Sequence, residues 1–210
     1  MLITGGTVGL AGTGGVVGGF SDEGRVYGNV VEIRGGTVDG HGVYGGINID
    51  VAAVSNNTVS IFSGATIDAT DIYGGLSQGN GDATHNTVNL YGGTLNAGTG
   101  VFGGGSIGGD AITGNTLNVD GFIGTVREIN NFEFYKFFLP DTLTNGGTLI
   151  TISGLNKTDL TGSSVQSITI HGQSALGHSD SVVLIDKVDG IFADTSLQAQ
   201  KGASLIYKAT

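Results

Sequence analysis

Asp39 and Asp68 are the residues whose type and spacing come closest to a catalytic pair. They occupy the same position in successive copies of an internal repeat. If the copies stack as β-coils, the two carboxylates lie about 5 Å apart, the separation used by retaining glycosidases. The next member of that column is Asn96, and no Arg, Lys or His accompanies the pair at a fixed offset. A corner that accepts Asp or Asn for turn geometry explains the column better. Two matches to G-x-G-x-x-G, Gly40–Gly45 and Gly98–Gly103, fall at one phase of the repeat, and neither opens a helix as a dinucleotide site requires. They read as corners. Asp22 with Glu23, and Asp68 with Asp71, are the pairs that could hold Ca²⁺, but the calcium β-roll nonapeptide is matched only in part at Gly79–Asp82 and Gly108–Asp110. His41, His85, His171 and His178 lack zinc-ligand spacing and read as exposed turn residues. No catalytic, cofactor-binding or metal-ligating residue is assigned.

Tyr44, Tyr73 and Phe102 recur at one phase and form the remaining candidate. Inward packing as an aromatic ladder is the expectation, although Val43, Ile72 and Val101 compete for the same interior. With those three inside, the rings would face out as a strip on which sugars could stack.

The elements that must position these residues are set by the repeat. Asn29-Val30-Val31-Glu32-Ile33-Arg34-Gly35-Gly36-Thr37-Val38-Asp39 aligns with the segments beginning at Asn57, Asn86 and Asn115, and the leading Asn recurs at intervals of 28, 29 and 29. A truncated earlier copy places Ile3 thirty residues before Ile33. A second anchor, Val43-Tyr44-Gly45-Gly46, returns at Ile72–Gly75 and Val101–Gly104, with Val16–Gly19 as its earlier member. Alternation sends Val31/Ile33, Val59/Ile61 and Val88/Leu90 to one side of short strands, and no 3.6-residue apolar stripe marks a helix. A unit this short cannot bury its apolar side alone, so the copies must stack. The expected fold is all-β: a right-handed parallel β-helix (β-solenoid) with coils of about 29 residues and a C-terminal β cap. Its predicted inward ladders are Val31–Val59–Val88–Leu117, Ile33–Ile61–Leu90–Val119 and Val38–Ile67–Leu95. The Asn29–Asn57–Asn86–Asn115 column should bond up and down the stack at a corner.

Composition agrees. Of 210 residues 41 are Gly, one is Pro, none is Cys and 12% are charged, which excludes collagen and disulfide scaffolds. A net charge of −10 argues against nucleic acid and anionic membrane surfaces as partners. No apolar run is long enough for a membrane-spanning helix. Met1 is followed at once by repeat-like sequence, with no signal peptide, and reads as the start of a piece of a longer chain.

Composition shifts near residue 126. Residues 1–126 hold 33 glycines with 10 acidic and 2 basic residues, against 8 glycines with 8 acidic and 6 basic residues in 127–210. Two regions are therefore expected, Gly-rich solenoid repeats over 1–126 and a capping segment over 127–210. The second opens with Phe132-Glu133-Phe134-Tyr135-Lys136-Phe137-Phe138-Leu139-Pro140, expected to plug the solenoid end and hide its open backbone edge. A turn is predicted at Asn145-Gly146-Gly147, with strands over Thr148–Ser153, Val165–His171, Ser181–Asp186 and Ser204–Lys208.

Gly-rich N-T-V-x-[IL]-x-G-G-T units, followed by Phe134–Pro140, Asn145-Gly146 and Leu149-Ile150-Thr151-Ile152-Ser153-Gly154, resemble the passenger region of bacterial type V autotransporters. The likeness is to the autochaperone or cap segment just before the outer-membrane barrel. It implies a β-helix displayed outside a Gram-negative cell, folding templated from its C-terminal end, and a parent chain anchored by an outer-membrane β-barrel. The expected function is a structural or adhesive cell-surface module, a stalk and cap that present a more N-terminal region to host-cell or bacterial surface molecules, protein or glycan. The chain is not read as an enzyme. The competing expectations are a carbohydrate-active β-helix enzyme or tailspike, marked by Asp/Glu clustered with Arg or Lys on one outer face, and a self-assembling fibre built by end-to-end association.

Overall fold

A computed structural model describes residues 1–9, 14–170, 176–190, 197–199 and 204–208. Among them there is no helix, and parallel coils of about 29-residue spacing form a β-solenoid of about 6 turns. The main sheet runs through Leu2–Val8, Val30–Tyr44, Thr58–Ser77, Thr87–Tyr91, Thr116–Asp120, Phe134–Leu139 and Ser164–Ile170. The predicted ladders are present in register: Val31 pairs with Val59, Val59 with Val88 and Val88 with Leu117, while Ile33, Ile61, Leu90 and Val119 form the second column. Ile3 pairs with Ile33, and Val38, Ile67 and Leu95 complete the third. All of these side chains are buried. Alternation produces them: residues two apart share a face, so each copy sends its β-branched positions to the axis.

The two recurring anchors of the sequence meet at one corner. Asn57, Asn86 and Asn115 are fully buried, and each side-chain carbonyl takes the amide of the Asn one coil below, Asn29 to Asn57 at 2.9 Å and Asn57 to Asn86 at 3.1 Å. The Gly-Gly pairs lie against this column. A Cβ on Gly45 would sit 3.0 Å from the Asn57 Cβ and 2.3 Å from the Gly74 carbonyl oxygen; one on Gly75 would meet the Asn86 amide nitrogen at 2.7 Å. The glycines recur because the Asn ladder fills the space where side chains would stand. Each ladder Asn is also preceded by a left-handed residue: Gly28, Asn56, His85 and Gly114 have φ of 70°, 56°, 58° and 70°. That turn reverses the chain at every coil.

Four coils carry a side lobe: three are stitched by a small sheet of Val26–Tyr27, Val54–Ser55 and Ala83–Thr84, and the fourth joins it through the Ala83 N–H to the Asp110 carbonyl and the His85 N–H to the Thr113 carbonyl. The coil that begins at Asn115 omits it. Thr87 pairs with Thr116, one full repeat on, whereas Thr116 pairs with Phe134, well short of a full repeat. Parallel pairing nevertheless crosses residue 126, since Gly124–Val126 stacks on Thr148–Ile152 and that strand on Ser181–Asp186. The aromatic segment is itself a rung, not a terminal plug. Tyr135 and Phe137 continue the columns of Leu117 and Val119, and Val165 and Ile168 stack beyond them. Large rings fit there because the shortened coil supplies fewer side chains to fill the section. The predicted Thr148–Ser153, Val165–His171, Ser181–Asp186 and Ser204–Lys208 strands appear as Thr148–Ile152, Ser164–Ile170, Ser181–Asp186 and Ser204–Lys208; His171 falls outside the described residues. Antiparallel pairing begins at Ser181–Asp186 with Ser204–Lys208.

Candidate functional site

The aromatic column decides where a site can be. Val43, Ile72 and Val101 are fully buried, so the pleat turns Tyr44, Tyr73 and Phe102 outward, half-buried on the solenoid flank. The expectation that these rings fill the interior is overturned: a strand cannot send adjacent residues to one side, and the β-branched members take the axis. The rings stack along the axis, Tyr44 to Tyr73 at 5.7 Å and Tyr73 to Phe102 at 4.5 Å between centroids, tilted by 7° and 12°. Glycines make room for them. A Cβ on Gly42 would lie 2.6 Å from the Tyr44 hydroxyl, and one on Gly100 would lie 2.5 Å from the Phe102 ring.

Beside the rings, two residues earlier in each coil, runs the column Gly42, Asp71, Gly100, Glu128. Arg127 reaches across it. Its Nη2 lies 2.7 Å from Asp71 Oδ1 and 2.8 Å from Glu128 Oε1, and its Nη1 donates to the Gly98 carbonyl at 3.0 Å. Burial works against this charge, but the hydrogen bonds and charges of Asp71 and Glu128 outweigh it and hold Arg127 above the ordinary guanidinium range. The Asn130 amide donates to the second Glu128 oxygen at 2.9 Å. Burial first, then the Asp71 charge, pushes the Tyr73 hydroxyl up to about 12, with Arg127 pulling the other way. Tyr44 is raised by the same two causes in the same order.

No family model matches the chain, and neither a curated protein nor a solved structure matches it significantly. On the far side of the rings, where the main stack meets the side lobe, lies a groove of about 520 Å³ lined by Tyr73, Leu76, Gln78, Phe102, Ser106 and Asn131, among others.

The sequence candidates fare differently. Asp39 and Asp68 do pair in register, both within strands, and the Asn96 amide above them donates to Asp68 Oδ1. Gly40–Gly45 and Gly98–Gly103 run through strands and corners, not helix starts. Asp71 is taken by Arg127 and Asp68 by Asn96, which gives the proposed Ca²⁺ pair two different partners. Asp22 and Glu23 are exposed in the first side lobe, where the Asp22 backbone carbonyl accepts from Asn48 at 3.0 Å. Among the described residues no three His, Asp or Glu side chains come close enough to hold a metal. His41, His85 and His178 are exposed. The Asp71–Arg127–Glu128 cluster was missed by sequence reasoning, because Asp71 and Arg127 are distant in the chain and lie on opposite sides of the composition break. The available signal was the alternation Gly42, Asp71, Gly100, Glu128 two positions before the aromatic column.

Proposed function

We propose that this chain is a structural and adhesive module of a cell-surface protein, the stalk of an autotransporter-type passenger displayed by a Gram-negative cell. What supports the reading is the unbroken parallel ladder, held at one corner by a buried Asn column, which makes a stiff rod with a long patterned flank. Such a rod holds a binding region away from a membrane and offers many equivalent positions along its side. The test is antibody labelling of the native protein in its own cells. Labelling of intact cells is expected, and labelling only after permeabilisation would overturn the reading.

A second reading has one observation in its favour. Carboxylates with an Arg on one outer face are what a carbohydrate-active enzyme would carry, and Asp71, Glu128 and Arg127 form such a group. Its weakness is chemical: glycoside hydrolysis needs one carboxyl free to hand a proton to the leaving group, and both carboxylates here are engaged by the same guanidinium. Release of reducing ends from polysaccharide by the purified chain would favour the enzyme.

A further inference from the structure

The groove beside the aromatic stack exists because one coil is short. Phe102 pairs with Asn130, and the chain turns at Asn131, with φ of 64°, to start the next rung at Phe134. The preceding coil instead runs on through Gly105, Ser106 and Ile107 into the side lobe. The lobe overhangs a step that the short coil leaves unfilled, and the step is the groove.

Its lining is mixed in a specific way. Tyr73, Phe102 and Leu76 supply the apolar part. Phe102 is the last ring of the stack: the next position in its column is Asn130, so among the described residues no further ring covers its outer face. Around this lie side chains that both donate and accept. The Gln78 amide is exposed. The Ser106 hydroxyl takes the Gly109 N–H at 2.8 Å and donates to the Gly79 carbonyl at 3.3 Å, leaving it an acceptor for a ligand hydroxyl, and the Asn131 amide donates to the Gly104 carbonyl at 2.8 Å. Those two groups are already oriented, so a ligand that uses them orders little.

An apolar ring beside fixed amides and a hydroxyl complements a pyranose, which has one C–H face and a rim of hydroxyls that donate and accept. The volume falls within the usual range of small-ligand sites, roughly 300–1,000 Å³. Charge narrows the class. Arg127 is already neutralised by two carboxylates, and the chain carries a net −10, so sulfated, sialylated or phosphorylated sugars meet an unfavourable field. The geometry points to a binding site for a neutral oligosaccharide, with Phe102 as the stacking surface and Gln78, Ser106 and Asn131 as hydroxyl partners. The site deepens the adhesive reading and rests on it.

The full chain is tested by calorimetry against a panel of neutral hexose and N-acetylhexosamine tetrasaccharides, with sulfated and sialylated counterparts. Binding to neutral members and not to the anionic ones is expected. Phe102→Ala should weaken that binding roughly tenfold, the scale of one lost ring contact. Gln78→Ala, at an exposed position that leaves the fold intact, should weaken it severalfold, while Tyr91→Ala outside the groove leaves it unchanged. No neutral saccharide bound at millimolar concentration, preference for the anionic set, or full affinity in Gln78→Ala overturns the site. Antibody labelling of intact cells is read separately: labelled cells with a non-binding groove sink the site alone, and unlabelled cells sink the surface reading.

Discussion

The Asn57 side-chain amide donates to Asn86 Oδ1 at 3.1 Å, and the same oxygen takes the Asn57 backbone N–H at 3.0 Å. One carbonyl thus satisfies two donors of the coil below, while the Asn86 amide donates to the Val54 carbonyl at 3.1 Å. Asn86→Ala strands these groups in a fully buried corner. A loss on the order of 3 kcal/mol is expected in denaturant unfolding, since each buried unsatisfied group costs about 1–3 kcal/mol. Asn29→Ala, at the half-buried end of the column, should cost less; equal losses would contradict the ladder.

The Gly-Gly corner should tolerate no side chain where the ladder lies. A Cβ on Gly75 would stand 2.7 Å from the Asn86 amide nitrogen and 2.9 Å from Val54 Cγ1, whereas one on exposed Gly98 meets nothing closer than 3.4 Å. Gly75→Ala should lower the melting temperature by several degrees and Gly98→Ala hardly at all. Thermal unfolding followed by circular dichroism compares the two.

Tyr135 gives the opposite prediction. Among the described residues no group stands within hydrogen-bond geometry of its buried hydroxyl, and adjacent Ser163 Oγ donates to the Phe132 carbonyl at 2.8 Å. Tyr135→Phe removes an unsatisfied group at nearly constant volume, so a gain of about 1 kcal/mol is expected at neutral pH. Destabilisation on chemical unfolding would show that the hydroxyl has a partner.

Alkaline pH tests the charged flank. The Tyr73 hydroxyl is raised from 10.0 to about 12, so the folded state favours its protonated form. That contribution is complete below pH 10 and is lost as pH rises towards about 12. Arg127→Gln removes the charge that pulls Tyr73 down and leaves Asp71 and Glu128 uncompensated, which moves the tyrosine higher still. Ultraviolet titration of the phenolate, with Tyr73→Phe to assign the signal, reads the shift; movement to lower pH would contradict the cluster.

Much of this fold was legible because stacking forces like onto like. Val31, Val59 and Val88 could be placed in one column from spacing alone, and so could the Asn residues. The link between Asn57 and Gly45-Gly46 was not, since it depends on where a corner folds back in space. The repeat period likewise implies full-length coils, and nothing in Phe132–Leu139 announces that its rung follows so soon after the one at Thr116. The groove and the Arg127 clasp both follow from that shortened coil, which is why the flank escaped a reading based on period.

Parallel stacking at the stated register is the claim on which all else rests, and a chain without Cys permits a direct test. Thr37 and Thr66 are register partners in adjacent coils, so their Cα atoms lie about 5 Å apart, within disulfide range. Thr37 and Asp68, two residues out of register, lie about 8 Å apart, beyond it. Thr37→Cys with Thr66→Cys should close an intramolecular disulfide on mild oxidation, detected by mass spectrometry of the monomer, and Thr37→Cys with Asp68→Cys should not. Efficient closure of the second pair and not the first would contradict the solenoid register.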